Sequence, residues 1–132
     1  MDKTRIIVVE DNIVYCEYVC NLLAREGYST VKAYHLSTAK KHLQQATDDD
    51  IVVSDLRLND GNGIDLLRWM RKEGKMQPFI IMTDYAEVHT AVAPLVESLV
   101  GFGGVLRPDD SGIGSKACEV VLQHQETLSS SY

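Results

Sequence analysis

Ile6-Ile7-Val8-Val9-Glu10-Asp11 and Ile51-Val52-Val53-Ser54-Asp55 decide how this chain folds. Each is a short apolar run that ends on acid. Such runs read as strands buried on both faces, and strands of that kind belong to parallel sheets covered by helices on each side. In an open parallel sheet the carboxyl ends of adjacent strands face one crevice. The sequence therefore predicts Glu10, Asp11 and Asp55 side by side. Three like charges in such a crevice demand raised pKa values or a bound cation. An all-oxygen donor set suits Mg2+, a hard ion that keeps several waters and works with phosphate.

Outward from these runs, strand and helix patterns alternate. Strands are expected at 5–10, 28–33, 51–54 and 79–82, with a short fifth at Val105-Leu106. A helix is expected at 13–26, with Val14, Tyr18 and Leu22 at helical spacing and Gly27 as its stop. Ser37 is expected to cap the next helix, which runs to Ala46 with Ala39 and Leu43 inward. A third, from Ile64 to Lys72, turns Ile64, Leu67 and Met70 inward and stops at Gly74. Helices also read at 86–100, interrupted by Pro94, and at 115–127. Asp60-Gly61-Asn62-Gly63 is a dense turn signal, and Asp48-Asp49-Asp50 reads as a solvated loop. Five βα units with short connections imply an α/β fold, a three-layer sandwich with helices on both faces of a five-stranded parallel sheet.

The chain has 132 residues, enough for one domain, read as residues 1–128 with 129–132 as a tail or the start of a linker. No stretch approaches the roughly 20 apolar residues that span a bilayer, and the N-terminus lacks a signal-peptide pattern. A cytoplasmic location is expected. The net charge of −6 disfavours nucleic acid as a direct ligand. Cys16, Cys20 and Cys118 are too few for a disulfide scaffold. Cys16 and Cys20 share a helix face, but no nearby His or Cys completes a zinc set, so small buried hydrophobes is the preferred reading.

The fourth run ends Met82-Thr83-Asp84 and the fifth ends Leu106-Arg107-Pro108, which brings a hydroxyl and a cation to the acidic edge. Acid pair, central Asp, hydroxyl and cation make a phosphoryl-transfer layout, because the charge on three phosphoryl oxygens needs such groups around it. Over residues 4–128 the chain resembles the receiver domain of two-component response regulators. The resemblance rests on Val8-Val9-Glu10-Asp11-Asn12, Val53-Ser54-Asp55-Leu56-Arg57-Leu58-Asn59-Asp60-Gly61, Ile80-Ile81-Met82-Thr83 and Leu106-Arg107-Pro108. It implies a flavodoxin-like sheet with strand order 2-1-3-4-5. Asp55 would accept a phosphoryl group from a sensor histidine kinase. Mg2+ would be held by Asp11 and Asp55, by Glu10 through a water and by the backbone carbonyl of Arg57. Thr83 would donate its hydroxyl to the phosphoryl group, and Arg107 stands where the family has lysine. The implied partners are the kinase, an output domain in a longer chain (as in transcription regulation) and a second copy on phosphorylation, with no membrane. The only chemistry implied is self-phosphorylation and self-dephosphorylation.

The pattern departs from the family after Thr83. Asp84 replaces a small residue and adds negative charge beside the phosphoryl position. Arg107 offers a planar fork in place of a compact ammonium. Gly104 takes the place of an aromatic, within the glycine-rich stretch Gly101-Phe102-Gly103-Gly104, and Asn59 replaces a frequent proline. The spacing from Thr83 to Arg107 exceeds the family's usual one, which implies a small insertion, or a shifted alignment, between the fourth helix and the fifth strand. An alternative therefore stands beside the receiver: a phosphorylation-independent interaction module on the same fold. A Mg2+-dependent phosphohydrolase is a third, opposed by Arg57, which occupies the place of the second acid such enzymes need.

Overall fold

The computed structural model describes residues 4–82 and the backbone of 102–106. The expectations for Thr83, Asp84, Arg107, Cys118, the helices at 86–100 and 115–127 and the tail lie outside the described residues.

Five strands form one sheet: β1 (Arg5–Val9), β2 (Ser29–Ala33), β3 (Ile51–Asp55), β6 (Phe79–Met82) and β7 (Phe102–Leu106). All neighbours are parallel, in the order β2-β1-β3-β6-β7. That is the order expected from the resemblance, with β6 and β7 as fourth and fifth strands. Two-residue strands β4 (Arg57–Leu58) and β5 (Gly61–Asn62) form a small antiparallel hairpin between β3 and the third helix.

Alternate residues of the buried strands point to opposite faces. Ile6, Val8, Ile51, Val53, Ile80 and Met82 pack on one face against Cys16, Val19, Cys20 and Leu23 of α1 (Ile13–Arg25). Ile7, Val9, Val52, Phe79 and Ile81 pack on the other. There they meet Ala39 and Leu43 of α2 (Leu36–Gln44) and Leu66, Leu67 and Met70 of α3 (Gly63–Lys72). This is the three-layer arrangement, with both cysteines buried as expected.

Several local readings are corrected. On α1 the inner stripe is Cys16, Val19, Cys20 and Leu23, while Val14 and Tyr18 face solvent. Both stripes are apolar, and tertiary packing chooses between them. On α3 Leu66 is buried and Ile64 only half-buried. Ser37 is not the cap of α2: the helix starts at Leu36, and a carboxylate from the β4–β5 turn satisfies its first amides. Asp50 is not solvated like Asp48 and Asp49. It is buried, pairs with Arg5 at 2.7 Å and accepts from the Thr47 amide at 2.9 Å. β7 is longer than the expected Val105-Leu106, because pairing with β6 recruits Phe102 to Gly104. Phe102 lies opposite Phe79 and Gly104 opposite Ile80, so Gly103 is an extra residue in the ladder, a bulge.

Candidate functional site

β1 and β3 are neighbours in register, with Val9 opposite Ser54, so the residues that follow each strand emerge at one edge. Glu10 continues β1 by donating its amide to the Ala33 carbonyl of β2 at 2.9 Å. Its side chain folds inward and is buried, and its Oε1 accepts from the Asn12 amide at 3.0 Å. Asn12 caps α1, its Oδ1 accepting from the Tyr15 amide at 2.9 Å. With the cap supplied by Asn12, Asp11 is left for other work. Asp55 closes β3 half-buried, with the Arg57 amide 3.4 Å from its Oδ1. Carboxylate oxygens of Glu10, Asp11 and Asp55 lie within 4.8 Å of one another, as the strand ends predicted.

The backbone around Asp55 is fixed on both sides. The Leu56 amide donates to the Met82 carbonyl of β6 at 2.9 Å, and Met82 lies opposite Asp55. The buried Ser54 hydroxyl donates to the Asp55 carbonyl at 2.9 Å. The Gly63 amide donates to the Leu56 carbonyl at 2.9 Å. A Cβ on Gly63 would lie 2.6 Å from the Asp55 carbonyl oxygen and 3.1 Å from the Ser54 hydroxyl, so α3 starts where only glycine fits. Sequence reading took Gly63 for a turn residue; its contact with Asp55 becomes visible only in three dimensions. Thr83 and Arg107 directly follow Met82 and Leu106, which are opposite each other in β6 and β7, but themselves lie outside the described residues.

Burial is the first cause that pushes the Glu10 carboxyl up to about 8, followed by its hydrogen bond with Asp55, against the lowering effect of the Asn12 amide. Burial also raises Asp55, opposed by the hydrogen bond from Glu10. Without a cation both carboxyls are therefore held above their ordinary range, Glu10 furthest. Three clustered carboxylates, two held above their ordinary range, form an oxygen donor set short of positive charge. A hard divalent cation fits it. No other cluster of three such ligands occurs among the described residues.

The raised acid has a consequence for stability. From 4.5, the ordinary value, to about 8 the folded protein keeps a proton that the unfolded chain has released. Metal-free stability must therefore fall as pH rises through that window and flatten above it. Thermal melts in chelator are expected to show this decline, and millimolar Mg2+ is expected to offset it most at the alkaline end. A metal-free melting temperature that climbs across the same window contradicts the buried pair.

A family model described as the response regulator receiver domain matches residues 6–102. The chain is 35% identical over 106 residues to the regulatory protein AtoC of Escherichia coli K12, covering 80% of this chain and 22% of that protein. It is 28% identical over 129 residues to the transcriptional regulatory protein ZraR of the same organism, covering 96% of this chain and 28% of that one. The chain thus spans about a quarter of the length of these relatives. Among solved structures, a CheY-like receiver domain protein from Methanospirillum hungatei JF-1 superposes with a TM-score of 0.79 at 21% identity, covering 96% of this chain and 99% of that one. A response regulator receiver protein from Pseudomonas putida superposes with a TM-score of 0.72 at 26% identity, covering 93% and 98%.

Proposed function

This chain belongs to the response regulator receiver domain family, and from that membership we propose that it is a phosphoacceptor signalling domain in which Asp55 takes a phosphoryl group from a phosphohistidine donor. The observation that carries the reading is the meeting of Glu10, Asp11 and Asp55, with Asp55 half-buried and open to the crevice. An Asp55 oxygen attacks phosphorus; the P–O bond forms as the P–N bond breaks, and the departing imidazole takes up a proton. Asp11 and Asp55, the Arg57 carbonyl and, through a water, Glu10 are the groups that would hold Mg2+. Bound Mg2+ supplies positive charge to the acceptor and to the phosphoryl oxygens. Family membership supports giving Thr83 and Arg107, which follow β6 and β7 in sequence, the transferred phosphoryl group. The domain catalyses nothing beyond its own phosphorylation and dephosphorylation. Its proposed setting is the cytoplasm, its donor a sensor histidine kinase and its reader an output domain or a second copy.

A protein donor is favoured by the rim of the site. Directly after Asp11, Ile13 is 59%, Val14 81% and Tyr18 47% exposed. Val14 and Tyr18, with Asn12 and Tyr15, line an open recess of about 590 Å³. Exposed apolar side chains grouped around a recess suit a protein contact surface. The test is Mg2+-dependent labelling by acetyl phosphate and by a kinase. Val14→Asp is expected to slow transfer from the kinase by about tenfold, worth about 1.4 kcal/mol of docking, and to spare acetyl phosphate. Equal slowing of both donors would remove the docking role, and absence of any Mg2+-dependent label would remove the phosphoacceptor.

The departures at Asp84, Gly104 and Arg107, of which Gly104 stands in β7, motivate a second reading, constitutive partner binding through that side of the domain. Partner affinity measured with and without beryllofluoride separates the two. Unchanged affinity supports the constitutive module, and a large change eliminates it.

A further inference from the structure

The β4–β5 hairpin after Asp55 is held at its tip by another element. Arg57 pairs with Asn62 and Leu58 with Gly61, which leaves Asn59 and Asp60 as the two-residue turn. The Asp60 carboxylate reaches the start of α2, where Oδ1 accepts from the Leu36 amide at 2.9 Å and Oδ2 from the Ser37 amide at 3.3 Å. α2 has no side-chain cap of its own, since His35 makes no cap hydrogen bond. Its orphan amides are thus satisfied by an acid that follows them by more than twenty residues. A second contact supports the first. A Cβ on Gly61 would collide with Cδ1 of the buried Leu36 side chain, so the hairpin also packs directly on α2. The Leu36 amide, the largest influence on the Asp60 carboxyl, holds it below its ordinary range.

At its base the same hairpin touches the site. The Arg57 amide faces Asp55 Oδ1 at 3.4 Å, and the Gly63 amide binds the Leu56 carbonyl at 2.9 Å. Only Leu58 and Asn59 lie between Arg57 and Asp60, across one tight turn. Without the tip contacts the hairpin keeps only a two-residue ladder of its own, and so short a hairpin is marginal alone.

We propose that Asp60 is a positioning residue: by clamping the hairpin to the N-terminus of α2 it holds the Arg57 carbonyl and the Asp55 carboxylate in the arrangement that binds the divalent cation. This rests on the reading of the site as a cation-dependent phosphoacceptor. Coupling is reciprocal, so cation binding must in turn tighten the start of α2.

Asp60→Ala, Asp60→Asn and the wild type are compared by Mg2+ titration calorimetry, by the Mg2+ dependence of acetyl phosphate labelling and by thermal melts. The expected result is an Mg2+ affinity about tenfold weaker in Asp60→Ala, the scale of losses caused by removing groups that orient metal ligands. The labelling rate at saturating Mg2+ should stay within about twofold of wild type, and Asp60→Asn, which keeps an acceptor, should recover most of the affinity. A lower melting temperature with unchanged Mg2+ affinity would make Asp60 a helix cap alone and overturn the proposal. Should Asp60→Ala not fold, amide exchange on the wild type decides. Mg2+ is expected to slow exchange at Leu36 and Ser37 severalfold, and no change there overturns the coupling. A wild type that binds no Mg2+ and takes no label defeats the phosphoacceptor reading itself, a different result from a wild type that does both while Asp60→Ala matches it.

Discussion

Asp55→Asn is expected to abolish labelling by acetyl phosphate and by a kinase, and to raise the melting temperature of the metal-free protein. The two effects share a cause. An amide is no nucleophile toward phosphorus, and the acyl phosphate cannot form on it, so labelling should fall by several orders of magnitude. The native carboxylate, however, is disfavoured by its own site, since burial raises its pKa and the Asp11 charge adds to the effect. An asparagine carries no charge to desolvate, and its carbonyl can still accept from protonated Glu10. Metal-free Asp55→Asn should therefore melt higher, by about 4 °C if the gain is near 1 kcal/mol. The Mg2+-dependent rise in melting temperature should shrink, because one cation ligand has lost its charge. Persistent label after this substitution would place the acceptor elsewhere. A lower metal-free melting temperature would mean that Asp55 is stabilised, not strained, by its neighbours.

Gly63→Ala is expected to damage the site more than the fold. The added methyl would meet the Asp55 carbonyl oxygen at 2.6 Å and the Ser54 hydroxyl at 3.1 Å. The first of these is backbone in the middle of the sheet and cannot swing aside. Either α3 backs away and stretches the 2.9 Å bond from the Gly63 amide to the Leu56 carbonyl, or the Asp55 peptide rotates. Overpacking of this kind costs about 1–3 kcal/mol of stability. Misplacing the acceptor and its cation ligands is costlier, with about a hundredfold loss in labelling rate expected for a shift near 1 Å. Gly27→Ala is the matched control. Gly27 ends α1 at φ +92°, and its added methyl would touch nothing within 4 Å, so strain of about 1 kcal/mol should appear in the melt with Mg2+ affinity unchanged. Loss of labelling in Gly63→Ala no larger than its stability change explains would remove the positioning role.

What could be read without coordinates came from local chemistry with a single structural outcome. The apolar runs at 6–9 and 51–53 are buried on both faces, so any slip would expose hydrophobic surface, and the acids that terminate them could only emerge at the sheet edge. Gly27 announced the end of α1 because few residues tolerate its backbone. Legibility ended where two local solutions had similar merit. α1 offers two apolar stripes, and packing on the sheet buried the one that carries Cys16 and Cys20. Ser37 had the right chemistry for a cap but sits inside the helix, and Asp60 from a distant turn took the role.

By itself, the sequence determined the α/β layering, the order of the elements and the identity of the three acids, because burial periodicity and strand termini are properties of short segments. Only the tertiary structure decided that Glu10 is buried beside Asp55 with its carboxyl pushed up, that Gly63 admits α3 to the Asp55 carbonyl, and that the hairpin after Asp55 is tied to α2. Each of these is a contact between separate segments of the chain, which meet only when the sheet closes.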